Sequence, residues 1–293
     1  MTEYPFYTLD VFTRQRFGGN PLAVFPYAEG LNVATMQQLA AELNYSETTF
    51  VLPSYVVGAD FKVRIFNRQH ELPFAGHPNV GTAYLLASLG LIEDRVTFEE
   101  RAGLVSVDIL YEEDKLAGAR IQAPQPLTVL GAIDSTAIAN CLQIEPEKVI
   151  THTHLPTLAS VGVDFVLAEV SADALNAAAP DISAHRNAIA ELTELKGKLA
   201  ILAYSRTDLL VRARMFSPLA GTWEDPATGG ANAALAALLL SKSDAQKLEL
   251  DVTQGIEMGR PSTLSVSAWR DGDLIRASVS GSCVDVFSGR IDL

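Results

Sequence analysis

The sequence predicts an α+β fold of two pseudo-symmetric domains, each a curved, mostly antiparallel sheet wrapped around a central apolar helix. Three observations predict it. One phrase occurs twice: "HELPFAGHPNVGTAYLL" from His70 and "TWEDPATGGANAALAALL" from Thr222 both read Glu-x-Pro-x-x-Gly before an apolar helix, with Glu71, Pro73 and Gly76 answered by Glu224, Pro226 and Gly229. Both helices are apolar on nearly every side, and the first has no charged residue through Leu91; a helix hydrophobic all round is buried all round. Strand-like stretches outnumber helical ones and few alternate as βαβ units, unlike a nucleotide-binding α/β sheet.

The elements follow in order. "FYTLDVF" reads as a strand and "RFGGNPLAVF" as a turn-rich stretch. "NVATMQQLAAELN" is an amphipathic helix, with Met36, Leu39, Ala40 and Leu43 on one face and Asn32 as its N-cap. "TTFVLP" is a strand, and so is "ADFKVRIFN", which turns Phe61, Val63 and Ile65 inward and Lys62 and Arg64 outward. Pro78 suits a first helical position, which predicts a helix near 78–89. "GLVSVDILY" and "LAGARIQ" form a hairpin across "EEDK", and the prolines of "APQPL" mark a linker, dividing the chain near residues 122 and 123. The second half carries helices near "DSTAIANCLQI", "SADALNAAA", "SAHRNAIAELTEL" and 230–241. Its strands are "ASVGVDFVLAEV", "KLAILAYS", "LLVRARMF", "KLELDVTQ", "STLSVSAWR", "LIRASVSG" and "CVDVFSG".

Composition narrows the function. The chain is 293 residues long, 48% hydrophobic and 19% charged, enough for a sizeable core. A net charge of −13, spread without runs, disfavours nucleic acid and anionic membranes as partners. "MTEYPFYTLDVF" lacks the basic start of a secretory signal, and the longest uncharged apolar run is too short for a bilayer. Cys141 and Cys283 stand alone, without metal or redox spacing. A cytoplasmic location is the expectation.

Each helix start offers unpaired backbone N–H groups, and two such ends facing one cleft suit a small carboxylate. Glu47, in "NYSETTF", reads either as a general acid/base whose pKa is raised by apolar neighbours or as a surface turn residue; position alone prefers the turn. His77 reads as a proton shuttle or as an N-cap. Glu224 and Asp225 precede the second helix, where the helix dipole favours carboxylates for structural reasons alone, yet the pair would also bind a substrate ammonium or hydroxyl. His152 and His154 would share a face in a strand, but no neighbouring ligand completes a metal set, so no metal is assigned. No dinucleotide fingerprint or phosphate loop is present, and no cofactor is expected.

"DVFTRQRFGGNPLAVF", "MQQLAAELNYSETTFVLP", "ELPFAGHPNVGTAYLL", "EDPATGGAN" and "QGIEMGRPS" follow one another in an order that resembles the phenazine-biosynthesis-like (PhzF) isomerase family over essentially the whole chain. The resemblance implies a diaminopimelate-epimerase-like fold with a C-terminal strand near 283–293 rejoining domain 1–122, the rest being domain 123–282. It implies a homodimer and a site in the cleft between the domains. It also implies cofactor-free isomerisation, in which Glu47 moves a proton on a small carboxylate-bearing substrate. His77 and Asp225 match the family's other catalytic positions, and Asn20, Gly76, Gly229 and Gly230 match its substrate-binding positions. Two departures stand out. Racemases and epimerases of this fold carry a cysteine before the glycine in each half, where this chain has Ala75 and Thr228, so a two-thiol mechanism is unavailable. Phenazine enzymes usually have serine at the position of Gly230. A lyase using the same base, or a binding module that kept the fold without turnover, are the alternative readings.

Overall fold

The repeated phrase sits in a repeated pattern of strand pairing. The computed structural model describes residues 2–192, 195, 197 and 199–293. The chain divides into two units, Met1–Pro124 with Ser280–Leu293, and Gln125–Val279. The first contains β1 (Glu3–Val11), β2 (Asn20–Phe25), α1 (Val33–Leu43), β3 (Glu47–Pro53), β4 (Phe61–Phe66), β5 (Glu71–Leu72), α2 (Gly76–Ser88), β6 (Arg95–Glu100), β7 (Gly103–Glu112) and β8 (Lys115–Gln122). The second contains β9 (Thr128–Ala132), α3 (Ser135–Leu142), β10 (Thr157–Ser160), β11 (Asp164–Glu169), α4 (Ala172–Ala177), α5 (Ile182–Glu191), β12 (Ile201–Thr207), β13 (Leu210–Ser217), β14 (Thr222–Asp225), α6 (Gly229–Ser241), β15 (Lys247–Gln254) and β16 (Ser262–Asp271). The last strand, β17 (Leu274–Asp292), begins in the second unit and from Ser280 onward belongs to the first, where it pairs antiparallel with β1.

In the first unit β1–β2 is antiparallel, β2–β3 parallel, β3–β4 antiparallel, β4–β6 parallel and β6–β7 antiparallel, with β5 a short antiparallel addition to β4. In the second, β10–β11, β11–β12, β12–β13, β13–β15 and β15–β16 run through the same alternation, with β14 added to β13. The apolar helix falls between the short strand and the next parallel strand in both. Helix α2 packs against β1, β2, β3, β7 and β8, and is buried from His77 to Leu86. Helix α6 packs against β10, β11, β15 and β16, with Ala231 to Leu240 all buried. Neither could shed a covered face to water without exposing Leu or Val, which is why neither carries a charge.

Helix α1 behaves as its pattern predicts. The Asn32 side chain accepts from the Thr35 N–H, Asn44 closes the helix in the left-handed region, and Met36, Leu39 and Ala40 pack into a cluster with Phe25, Phe50 and Phe66. The "EEDK" turn is a two-residue hairpin with positive φ at Glu113 and Asp114.

Several expectations need correction. Helix α2 starts at Gly76, placing Pro78 third; the first-turn N–H groups have no intrahelical acceptor, so proline costs little there. "ASVGVDFVLAEV" is a hairpin of β10 and β11, because Gly162 at φ 132° turns the chain. "LIRASVSG" and "CVDVFSG" are one continuous strand; Gly281 does not break it because it lies against Gly118, where an added Cβ would come within 2.0 Å of the Gly281 carbonyl oxygen. Strands β5, β9 and β14 have two, five and four residues, too few to show a period. Thr193 and Glu194, at the end of an expected helix, and Lys198, at the start of an expected strand, lie outside the described residues. No helix among the described residues is long and apolar enough to cross a membrane.

Candidate active site

The glutamate that opens each repeat is structural. Glu71 accepts two hydrogen bonds from Arg64, both 2.8 Å, and Glu224 accepts two from Arg214, at 2.8 and 2.9 Å. Each arginine also lies over a phenylalanine two residues on, Phe66 at 5.2 Å and Phe216 at 4.9 Å. The fork of a guanidinium matches a carboxylate, so each pair pins the turn before its helix to the preceding long strand. The Arg64 guanidinium holds the Glu71 carboxyl below the usual carboxylate range. Arg214 is the more deeply built: it and Glu224 are each 9% exposed, and its Nη1 donates to the carbonyls of Leu175 and Ala178.

At the mouth of α2, Glu47 opens β3 and its Oε2 stands 3.3 Å from His77 Nε2. The Pro21 carbonyl accepts a hydrogen bond from the His77 ring; Nε2 forms none of good geometry, so this bond belongs to Nδ1. The ring is therefore the Nδ1–H tautomer, with its lone pair on Nε2 toward Glu47. Burial pushes its pKa down to about 3, so it is neutral at physiological pH. His77 is the second residue of α2 and does not cap it; the N-cap is Ala75. Asn20, fully buried, accepts through Oδ1 from the Ser46 hydroxyl at 3.1 Å, which ties β2 to the residue before Glu47. Gly76 is the first residue of α2, next to His77. The structure thus gathers Asn20, Glu47, Gly76 and His77 in one place in the first unit.

At the mouth of α6 the second unit holds Asp225, Gly229 and Gly230. Asp225 Oδ2 accepts from the Thr228 hydroxyl at 2.5 Å. Gln254 completes a network: its Nε2 donates to the Asp225 carbonyl (2.8 Å) and Thr228 Oγ1 (3.0 Å), and its Oε1 accepts from Asn232 Nδ2 (2.8 Å) and Thr228 N (3.2 Å). Gly229 and Gly230 open the helix.

Sequence reasoning missed Pro21, Ser46, Thr228 and Gln254, whose contributions are contacts. It also missed Glu100, for which a signal existed: in β6 the buried positions are Val96, Phe98 and Glu100, so alternation alone points a carboxylate inward. His154 is a core histidine in a non-strand segment, bonded through Nε2 to the Tyr204 hydroxyl at 2.7 Å and through Nδ1 to the Leu155 carbonyl at 2.6 Å, so the expected shared face with His152 does not form. Among the described residues no group of three or more His, Cys, Asp or Glu side chains could hold a metal ion.

Comparison with known proteins gives one consistent family. The model of the phenazine biosynthesis-like proteins matches residues 9–289. An uncharacterized isomerase of Mesorhizobium japonicum is 35% identical, over 96% of each chain. The trans-2,3-dihydro-3-hydroxyanthranilate isomerase of Pseudomonas aeruginosa is 33% identical over 96% of this chain and 97% of its own. The crystal structure of a Bacillus anthracis phenazine biosynthesis protein of the PhzF family shares the fold, with a TM-score of 0.86 over the whole of both chains at 24% identity. With repeat, strand pairing and relatives agreeing along its full length, this chain is an isomerase-type enzyme and belongs to the phenazine biosynthesis-like family.

Proposed function

We propose that the protein is a cofactor-independent isomerase that moves a proton between two carbons of a small carboxylate-bearing substrate, with Glu47 as its single acid/base. One observation carries this: the Nε2 lone pair of a neutral His77 faces Glu47 Oε2 at 3.3 Å. A lone pair facing a carboxyl oxygen is favourable when that oxygen bears a proton. The carboxylate form of Glu47 takes the proton from one carbon; the acid form, steadied by His77, holds it and returns it to another. One C–H bond breaks and one forms, so no oxidant or reductant is needed, and the proton held on Glu47 exchanges with water before one is returned. Asp225 is the third catalytic position, and Asn20, Gly76, Gly229 and Gly230 are assigned to substrate binding, where helix-start N–H groups would favour a carboxylate. A homodimer and a cytoplasmic location complete the proposal.

The substrate to try first is trans-2,3-dihydro-3-hydroxyanthranilate, which the Pseudomonas aeruginosa relative isomerises by name. Incubation in deuterated water with related dihydroaromatic carboxylates should label one carbon of a true substrate. Glu47→Gln should abolish that label while leaving binding largely intact; labelling by the variant at the unaltered rate would reject Glu47 as the base.

A further inference from the structure

Glu100 is a buried carboxyl that the proposed chemistry does not use; Asp10 and Glu169, also buried, accept from the Phe17 N–H and from Tyr204 and Arg206. It ends β6 as Gln254 ends β15, on the strand that follows the apolar helix in each repeat. Glu100 is 8% exposed, and neither of its carboxyl oxygens makes a hydrogen bond of good geometry. Its neighbour is Asn79, in the first turn of α2. The two repeats differ here by one atom type. Asn232 spends one amide hydrogen on the Thr228 carbonyl (3.0 Å) and the other on Gln254 Oε1 (2.8 Å). Asn79 likewise donates to the Ala75 carbonyl (3.0 Å), and where the other repeat has the Gln254 amide it faces the Glu100 carboxyl.

We propose that Glu100 is a positioning residue of the site: through Asn79 it sets the first turn of α2, and with it the His77 ring that faces Glu47. Asn79 lies two residues after His77 in the same turn, and its amide holds the Ala75 carbonyl that begins the helix. A neutral carboxylic acid has nearly the shape of glutamine and occupies the position as Gln254 does. A carboxylate cannot stay at that depth without donors and must draw in water or shift the turn. Burial pushes the Glu100 pKa up to about 8, with Asn79 pulling weakly the other way and no charged group contributing. The charged side chains nearest in sequence and sheet are engaged elsewhere: Lys62 pairs with Glu99, and Arg64 and Arg101 with Glu71. His77 itself is neutral across this range.

The catalytic part of His77 rests on the function proposed above, but its placement does not, so the test reads placement. The ring nitrogens of the five histidines, labelled with ¹⁵N and assigned by single replacements, are followed from about pH 6 to 10. The His77 signals of the unaltered protein should move in a step near pH 8 without the large change of a ring titration. Glu100→Gln should fold, since glutamine is what the other repeat uses, and should remove the step. Glu100→Leu, which has no charge to bury, serves the same purpose if glutamine does not fold. A His77 signal that stays still through pH 8, or a step that persists in either variant, overturns the assignment. Absence of isomerase activity in the unaltered protein, with the step present there and removed by Glu100→Gln, would overturn the proposed function and bear out the placement role.

Discussion

The mouths of α2 and α6 share a frame and differ in how much of their polar chemistry is satisfied. Both have an arginine–glutamate fork, a proline turn, a glycine at the first helical position and an asparagine bonded back to the N-cap carbonyl. At α6, Asp225, Thr228, Asn232 and Gln254 bond one another. At α2, Ala75 stands in place of Thr228 and Leu72 in place of Asp225, leaving a neutral histidine with an outward lone pair, a glutamate before it and a buried acid behind it. A hydrogen-bonded network of neutral amides and a hydroxyl around Asp225 holds a shape; the titratable groups gathered at α2 can hold and move a proton.

The largest effect that would sharpen this contrast is catalytic. Glu47→Gln should slow proton exchange by roughly a hundredfold to ten-thousandfold, the usual worth of a general acid/base, whereas Asp225→Asn, which leaves the base in place, should cost less in rate. Equal losses in rate, measured by isotope exchange, would erase the division of labour. The next effect is on folding. Arg214→Ala strands the Glu224 carboxylate, whose side chain is 9% exposed, and frees three carbonyls, and should cost about 3–5 kcal/mol; Arg64→Ala, at a pair that is 19% and 14% exposed, should cost less. Urea unfolding ranks the two.

A third effect is pH-dependent. His77 has a folded pKa below its unfolded one, so the folded state binds fewer protons, and the stability His77 contributes is lost as pH falls from about 6.5 toward 3. Glu100 has a folded pKa above its unfolded one, so stability declines as pH rises from about 4.5 to 8. Melting temperatures should therefore show His77→Gln flattening the acid side and Glu100→Gln the neutral-to-basic side, while Gln254→Glu should introduce at α6 a decline like that of Glu100. The smallest effect belongs to Gly230→Ser. A Cβ there meets only the Phe165 ring at 3.5 Å, an ordinary contact, so stability should change by less than about 0.5 kcal/mol, making it a clean probe of what a hydroxyl does to substrate choice.

Much of this was legible in the residues. The doubled Glu-x-Pro-x-x-Gly phrase marked both helix starts to within two residues, and the Asn32 cap and the "EEDK" turn are local chemistry that reads the same in a peptide as in a protein. Less legible were β5 and β14, which exist because a longer neighbour offers them an edge, the five-residue β9, which pairs with the comparably short β10, and the single β17, which continues past Gly281 with Gly118 beside it.

By itself the sequence determined what depends on neighbours along the chain: the all-round apolar helices, the repeat and the helix starts. Only the tertiary structure decided what depends on residues brought together from afar. It turned the repeated glutamates into arginine clamps, fixed the His77 tautomer through Pro21, closed the Asp225 network through Gln254 and left Glu100 without a hydrogen bond of good geometry. The physical reason is that a pKa, a tautomer or a satisfied hydrogen bond is set by burial and by donors a few ångströms away in space, and a strand's order in the chain does not state which side chains its fold will place there.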